Sequence, residues 1–119
     1  MMMERWPGLS PDEAGVVDTV ARYAERELAP RAATTDAEGG FVTTQLKGLA
    51  ELGVMGANLP ESAGGPGLSA LALFAIVETV AQACGSTVSA LTAHYLATDA
   101  ILLGGNAAQI AHWLPRATA

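Results

Sequence analysis

The sequence has 119 residues, of which 50% are hydrophobic and only 15% are charged, and its formal net charge is −6 at pH 7. This length fits one domain with one core, and so much apolar surface must be buried in that core or against another domain or subunit. The acidic balance excludes a nucleic-acid or anionic-membrane surface, because both require a basic patch and the six basic residues form no run.

The compartment follows from the cysteine count and from the N-terminus. Cys84 is the only cysteine and cannot form an intrachain disulfide, which fits a reducing compartment and predicts a cytoplasmic protein. The opening residues MMMERWPG contain no apolar run of the kind found in signal peptides. Residues 79–98 are uncharged, but polar side chains and Gly85 interrupt them, so they predict two buried helices rather than a membrane span.

The first helix is predicted from a capping box. Ser10 is an N-cap serine, Pro11 occupies the first helical position and Glu13 the third, and an apolar stripe with helical spacing follows over residues 16–28. Pro30 predicts a kink or an end, after which the chain can resume as a helix toward residue 36.

Four further helices are predicted along the chain. Thr43 is a candidate N-cap for a short second helix that ends at Gly53. A third helix from Leu68 or Ser69 to Cys84 is apolar on almost every side, which is typical of a helix buried on most sides. The fourth and fifth helices are predicted at 87–103 and 107–114, the last ending before Pro115.

These elements together predict the fold class. No strand-period alternation of useful length is present, so we expect an all-α fold, a helical bundle of about five helices. We assign residues 1–9 to an N-terminal tail and residues 10–119 to the helical domain.

The glycine-rich stretch LPESAGGPGLS, residues 59–69, raises the possibility of a phosphate-binding loop. Such a loop requires a preceding strand and, in the Walker form, a Gly-Lys-Ser/Thr sequence, and neither is present. The stretch therefore predicts a structural corner, in which glycines allow positive φ angles and proline stiffens the exit.

The ionisable residues give little sign of catalysis or metal binding. Glu78 lies in an apolar helix, and we expect a structural ion pair with Arg22, Arg26, Arg31 or Lys47 rather than a catalytic role. His94 and His112 are too far apart for a metal-binding spacing, so no metal site is predicted; His112 should face solvent and His94 should be hydrogen-bonded within the fold.

A possible ligand wall lies on the fourth helix. Ser89 and Thr92 are three residues apart on one face, beside Val88 and Leu96. A mostly apolar groove with a few hydroxyl groups is typical of a ligand site, although hydroxyls can also be satisfied by the helix backbone.

Four segments in order resemble the N-terminal helical domain of the acyl-CoA dehydrogenases over roughly residues 10–117. They are ARYAERELAPRAATTDAEGGF, LAELGVMGANLPESAGGPGLS, IVETVAQACGSTVSALTAHYLATDAILLGG and HWLPRA. The resemblance implies a flavoprotein that removes hydrogens from the α and β carbons of an acyl-CoA thioester, with FAD as hydride acceptor. It further implies an electron-transfer acceptor as partner, a homotetramer, and an acyl pocket lined by Val88, Ser89, Thr92 and Leu96.

The resemblance also has a limit. The family's FAD-binding β domain and its C-terminal domain with the catalytic glutamate are absent from these 119 residues, so no catalytic residue is assigned here and Glu78 keeps its structural role. Two alternatives remain open: a non-catalytic helical subunit or interaction module derived from the family, and an acyl-CoA oxidase or flavin monooxygenase with the same helical domain. A fourth-helix histidine such as His94 would suit the monooxygenase.

Overall fold

The computed structural model describes residues 6–119, and these form a helical bundle without a strand. The prediction of an all-α fold is confirmed. The helices α1 to α6 comprise Pro11–Tyr23, Ala32–Glu38, Thr43–Glu51, Ala70–Ala83, Gly85–Gly104 and Ala107–Thr118.

Helices α1 and α2 form one continuous helical arm. The Ser10 capping box is present, with hydrogen bonds in both directions between Ser10 and Glu13. Pro30 does not end the arm, because a π-helical turn at Ala24–Leu28 and a 3-10 turn at Ala29–Arg31 lead from α1 into α2. A widened turn accommodates a proline, which has no N–H to donate and whose ring would collide with a preceding carbonyl in a straight α-helix.

The bundle is a slab of 41 × 36 × 19 Å. Helix α1 packs against α4, α4 packs against α5, and α5 packs against α6. The core between them contains fully buried aliphatic side chains from most of the elements, among them Val17, Leu28, Leu49, Ile76 and Leu91. A slab this thin leaves each helix with an outer side that this domain does not cover.

The predicted third helix is buried on most sides, as expected, but one apolar stripe along it is exposed. That helix is α4, and Phe74 in its middle is 67% exposed. Ala75 and Ile76, the next two residues, are fully buried, so α4 has one side in the core and another apolar side in contact with solvent. Sequence composition does not distinguish a helix covered by its own domain from one covered by a neighbour.

Three helix boundaries differ from the predicted ones. Helix α5 begins at Gly85 instead of residue 87, so Cys84 alone separates it from α4. Helix α3 has Val42 as its N-cap, and Thr43 is its first helical residue. Helix α6 continues through Pro115 to Thr118, because a proline in the last turn removes only one backbone hydrogen bond while Leu114 is fully buried.

The glycine-rich stretch is a corner, as predicted. Gly64 and Gly67 have φ angles of +86° and +65°, values that favour glycine. Gly65 approaches the Leu59 backbone so closely that an added Cβ would overlap the Leu59 carbonyl. Gly65 N–H donates to Pro60 O at 3.0 Å, and Gly67 N–H donates to Leu59 O at 3.3 Å. These amides are therefore used within the corner.

The predicted N-terminal tail is described only in part. Residues 1–5 lie outside the described residues, while Trp6 and Leu9 are half-buried and pack against the core. The last residues before α1 are thus attached to the bundle.

Candidate functional site

Helix α5 has two contrasting faces. Its inner face is buried by the rest of the bundle and comprises Thr87, Leu91, Tyr95 and Thr98. Its outer face is solvent-exposed yet contains two large apolar side chains, Leu96 at 74% exposure and Leu103 at 85%. Exposed leucines on the face opposite the core indicate a surface that meets an apolar partner or ligand.

The four residues predicted to line a pocket lie together near the N-terminal half of this helix. Ser89, Thr92 and Leu96 are exposed on the outer face, and Val88 is half-buried at its edge against the core. The Thr92 hydroxyl donates to Val88 O at 2.9 Å and approaches Ser89 O at 3.2 Å. The structure thus places the four residues on one patch, and their role in substrate binding stays a prediction.

The inner face holds the chain segment between α3 and α4. The Tyr95 hydroxyl donates to Val54 O at 2.5 Å, and burial raises the pKa of the Tyr95 phenol. His94 Nε2 lies 2.8 Å from Met55 O. Because a carbonyl oxygen only accepts, Nε2 carries the proton in this contact. The expectation of a hydrogen-bonded structural His94 is confirmed.

Asn58 is the residue that sequence reasoning missed. Its Nδ2 donates to Thr98 Oγ1 at 3.0 Å and to Asp99 Oδ1 at 2.6 Å, and lies 3.4 Å from Tyr95 O. Its own Oδ1 is buried without a partner among the described residues, an arrangement that costs about 1–3 kcal/mol. The charge-assisted bond to Asp99 offsets this cost. Asn58 is the one polar side chain in the apolar segment 54–59, and this isolated position in the sequence could have indicated a buried hydrogen-bonding role.

A second apolar surface adjoins the outer face of α5. A groove of about 400 Å³ lies between the end of α5 and α6, lined by Ala100, Ile101, Gly104, Gly105, Gln109 and Trp113. Trp113 is 53% exposed, and the exposed His112 ring meets it edge-on with ring centroids 4.8 Å apart. The uncovered apolar surface therefore extends beyond the four predicted residues.

The remaining predicted site residues have structural contacts. Glu78 is half-buried and accepts a hydrogen bond from Gln82 Nε2 at 3.3 Å, while its ion pair stays a prediction. Arg22 and Arg31, two of its proposed partners, pair with acids on their own helical arm, namely Asp18 and Glu27. Within residues 6–119, no group of three or more His, Cys, Asp or Glu side chains is placed to hold a metal ion.

Cys84 is buried and accepts a hydrogen bond from the Thr87 hydroxyl at 3.2 Å, consistent with a packing role.

None of the helices in the described part of the chain combines the length and the apolar character that a bilayer span requires.

Comparison with known proteins identifies the family. The sequence model of the acyl-CoA dehydrogenase N-terminal domain matches residues 10–119. The mitochondrial short-chain specific acyl-CoA dehydrogenase of Mus musculus is 38% identical over 99 residues, which cover 81% of this chain and 24% of that protein. The (2S)-methylsuccinyl-CoA dehydrogenase of Cereibacter sphaeroides is 32% identical over 110 residues, which cover 92% of this chain and 20% of that protein.

Solved structures show the same fold. The butyryl-CoA dehydrogenase of Megasphaera elsdenii superposes with a TM-score of 0.82 at 24% identity, over 93% of this chain and 30% of that one. A structure described as the electron transferring flavoprotein of Acidaminococcus fermentans contains a chain that matches with a TM-score of 0.84 at 26% identity, over 94% of this chain and 30% of that one. The chain spans about a quarter of the length of the mouse relative. It belongs to the acyl-CoA dehydrogenase family and has the fold of that family's N-terminal helical domain.

Proposed function

We propose that this chain is the N-terminal domain of a flavin-dependent acyl-CoA dehydrogenase and forms one wall of its acyl pocket. The observation that supports the proposal best is the outer face of α5, where Leu96 is 74% exposed beside Ser89 and Thr92. A fatty acyl tail is the kind of ligand that an apolar wall with two hydroxyl groups suits.

The remaining walls of this pocket would come from outside the described residues. A single helix face is convex and cannot enclose a ligand, since small-molecule sites are concave and bury most of the ligand surface. The exposed apolar side chains on α4, α5 and α6 give this domain several surfaces on which further domains could pack.

The described residues fit an acyl tail better than a nucleotide. The one glycine-rich stretch uses the amides of Gly65 and Gly67 on its own carbonyls, so it offers no phosphate cradle. We therefore propose that FAD is bound mainly by regions beyond this chain. When bound, FAD would accept the β hydride of the acyl-CoA, with the base for the α proton also outside these residues. This chain would position the tail and exclude water.

The proposal carries further expectations for the whole protein. We propose an electron-transfer flavoprotein as the acceptor class, a homotetrameric assembly and a cytoplasmic location. The match to a structure described as an electron transferring flavoprotein supports the first of these. The alternative of a flavin monooxygenase gains no support from His94, because its Nε2 is occupied by the Met55 carbonyl on the inner face of α5.

The first test is the intact mass and the visible spectrum of the protein purified from its native source. A chain several times heavier than 119 residues, with a bound flavin that acyl-CoA reduces anaerobically, is the expected result. A mass matching 119 residues without flavin would overturn the proposal in favour of a non-catalytic helical subunit. Rapid oxidation of the reduced flavin by oxygen would instead indicate an acyl-CoA oxidase or a monooxygenase.

The second test addresses the pocket wall. Leu96→Phe should lower kcat/KM for long acyl-CoA substrates by about tenfold relative to short ones, because a hydrophobic pocket discriminates single methylenes by about tenfold or more. Leu103→Phe is the matched control, since Leu103 lies two turns further on the same exposed face. Equal effects of the two substitutions on every chain length would remove Leu96 from the pocket.

A further inference from the structure

We infer that Asn58 is a positioning residue for the acyl-pocket wall, acting through helix α5. The inference rests on the proposed function for its catalytic readout, and on the contacts of α5 for everything else. Asn58 belongs to the segment between α3 and α4 and contacts α5 through Thr98 and Asp99, whereas Leu96 is exposed to solvent.

The outer face of α5 is not fixed by its own contacts. Leu96 is 74% exposed, and the hydroxyl of Thr92 bonds only to carbonyls of the same helix. The direction in which these side chains point is therefore set by the rotation of α5 about its axis. That rotation must be fixed from the inner face.

The short segment between α3 and α4 holds the inner face of α5 through directional hydrogen bonds. Val54 O and Met55 O receive hydrogen bonds from Tyr95 and His94, in the turn of α5 that includes Leu96. Apolar packing alone is non-directional and tolerates small rotations, whereas hydrogen bonds specify both distance and angle.

Asn58 adds a third set of hydrogen bonds between this segment and α5. Its Nδ2 reaches Thr98 Oγ1 and Asp99 Oδ1, in the turn that follows Leu96. Leu96 therefore lies between the anchored residues Tyr95 and Thr98. The 2.6 Å contact to Asp99 is charge-assisted. The Asn58 side chain keeps this contact even though its buried Oδ1 accepts no hydrogen bond from the described part of the chain.

The contact between Asn58 and Asp99 can be tested by exchanging the amide and carboxylate groups between the two positions. Asp99→Asn keeps an acceptor for Asn58 Nδ2 but removes its charge, so it should weaken the contact and be the milder of the two single substitutions. Asn58→Asp places two carboxylates in contact and should disturb α5, because like charges at this distance repel. Combining the two substitutions supplies an amide donor at position 99 for the carboxylate at position 58, and should recover much of the loss.

The experiment uses the flavin-loaded full-length protein with two readouts. Hydrogen exchange of the α5 amides should rise in Asn58→Asp and fall back in the double variant. The ratio of kcat/KM for long against short acyl-CoA should change by about threefold or more in Asn58→Asp and return toward wild type in the double variant, because small misplacements of a binding group are costly. Val20→Ala, in the core of α1, is the control for a general loss of stability.

The outcomes separate the two proposals. If the wild-type protein turns over acyl-CoA and Asn58→Asp leaves the length ratio and the α5 exchange unchanged, the inference is wrong and the proposed function stands. The same conclusion follows if Val20→Ala shifts the ratio as much. If the wild-type protein turns over no acyl-CoA, the proposed function fails, and α5 exchange in the three variants alone decides whether Asn58 positions the helix.

Discussion

Glu13 and Ser69 join the starts of two helices. The Glu13 carboxylate closes the capping box of α1 through Oε1 and accepts the backbone N–H of Ser69 through Oε2 at 2.8 Å. Ser69 is itself the N-cap of α4, where its hydroxyl accepts the N–H of Ala72. One carboxylate thus serves two helix N-termini that are 56 residues apart in sequence.

This junction predicts a specific pH dependence of stability. Hydrogen bonds from Ser69, and then from Ser10, lower the pKa of Glu13 from 4.5 to about 2. A depressed folded-state pKa stabilises the fold above pH 4.5, and this contribution is lost as the pH falls toward 2. Glu13→Gln should therefore be less stable than wild type at pH 7, with a difference that shrinks between pH 4.5 and 2. Thermal melts of both proteins across this range check it, and a constant difference would refute the assignment.

Substitution of Gly48, which lies inside helix α3, should destabilise the protein. An added Cβ would overlap the Tyr23 ring, whose hydroxyl donates to Gln45 O at 3.0 Å. Gly48→Ala should lower the free energy of unfolding by about 1–3 kcal/mol, the usual cost of overpacking. Gly15→Ala is the matched control, because Gly15 lies in α1 with nothing within 4 Å of the new methyl group. It should be neutral or raise stability by about 0.5–1 kcal/mol. Equal effects in chemical denaturation would contradict the packing argument.

Gly65 predicts that the corner after Leu59 tolerates no side chain. A methyl group there would overlap the Leu59 carbonyl, and backbone atoms cannot move aside as a flexible side chain can. Gly65→Ala should cost more than about 2 kcal/mol of unfolding free energy, within the range for severe overpacking. Gly40→Ala, in open space after α2, should be nearly neutral. Denaturant unfolding of the two variants compares them directly, and a neutral Gly65→Ala would show that the corner can relax.

The uncovered apolar faces predict that residues 1–119 produced alone will self-associate. Phe74, Leu96, Leu103 and Trp113 are each more than half exposed, and contiguous exposed apolar surface promotes association. Leu96→Lys combined with Leu103→Lys should reduce this association in analytical ultracentrifugation. Thr34→Lys combined with Thr44→Lys adds the same charge at exposed polar positions and should have a smaller effect. A monodisperse, cooperatively melting wild-type fragment would contradict the prediction.

The details of geometry that were predicted correctly from the sequence are local ones. The Ser10 capping box and the glycine corner depend on residues within a few positions of each other, so their chemistry can be read directly. The Asn58–Asp99 bond joins residues 41 positions apart, and it depends on how α5 lies against the segment before α4. That arrangement follows from packing, which no local rule contains.

The differences between prediction and structure have physical reasons as well. Pro115 was expected to end the last helix. A proline in the last turn of a helix removes only one backbone hydrogen bond, however, and the buried side chain of Leu114 holds this turn against the core. Helix α4 was expected to be buried on most sides because it is apolar nearly all round, yet Phe74 on its remaining side is exposed. An apolar pattern says that surface will be covered, and says nothing of whether its own domain or another covers it.

Thr92 shows how a polar residue can present an apolar surface. With its hydroxyl bonded to the Val88 carbonyl, its γ-methyl group is the part left to meet a neighbour. A hydrocarbon chain laid against this turn of α5 would leave no unsatisfied donor on that hydroxyl. The proposed acyl-pocket wall would then present more apolar surface than its sequence suggests. Thr92→Val would accordingly change the affinity for a bound acyl tail less than the loss of a hydroxyl group implies.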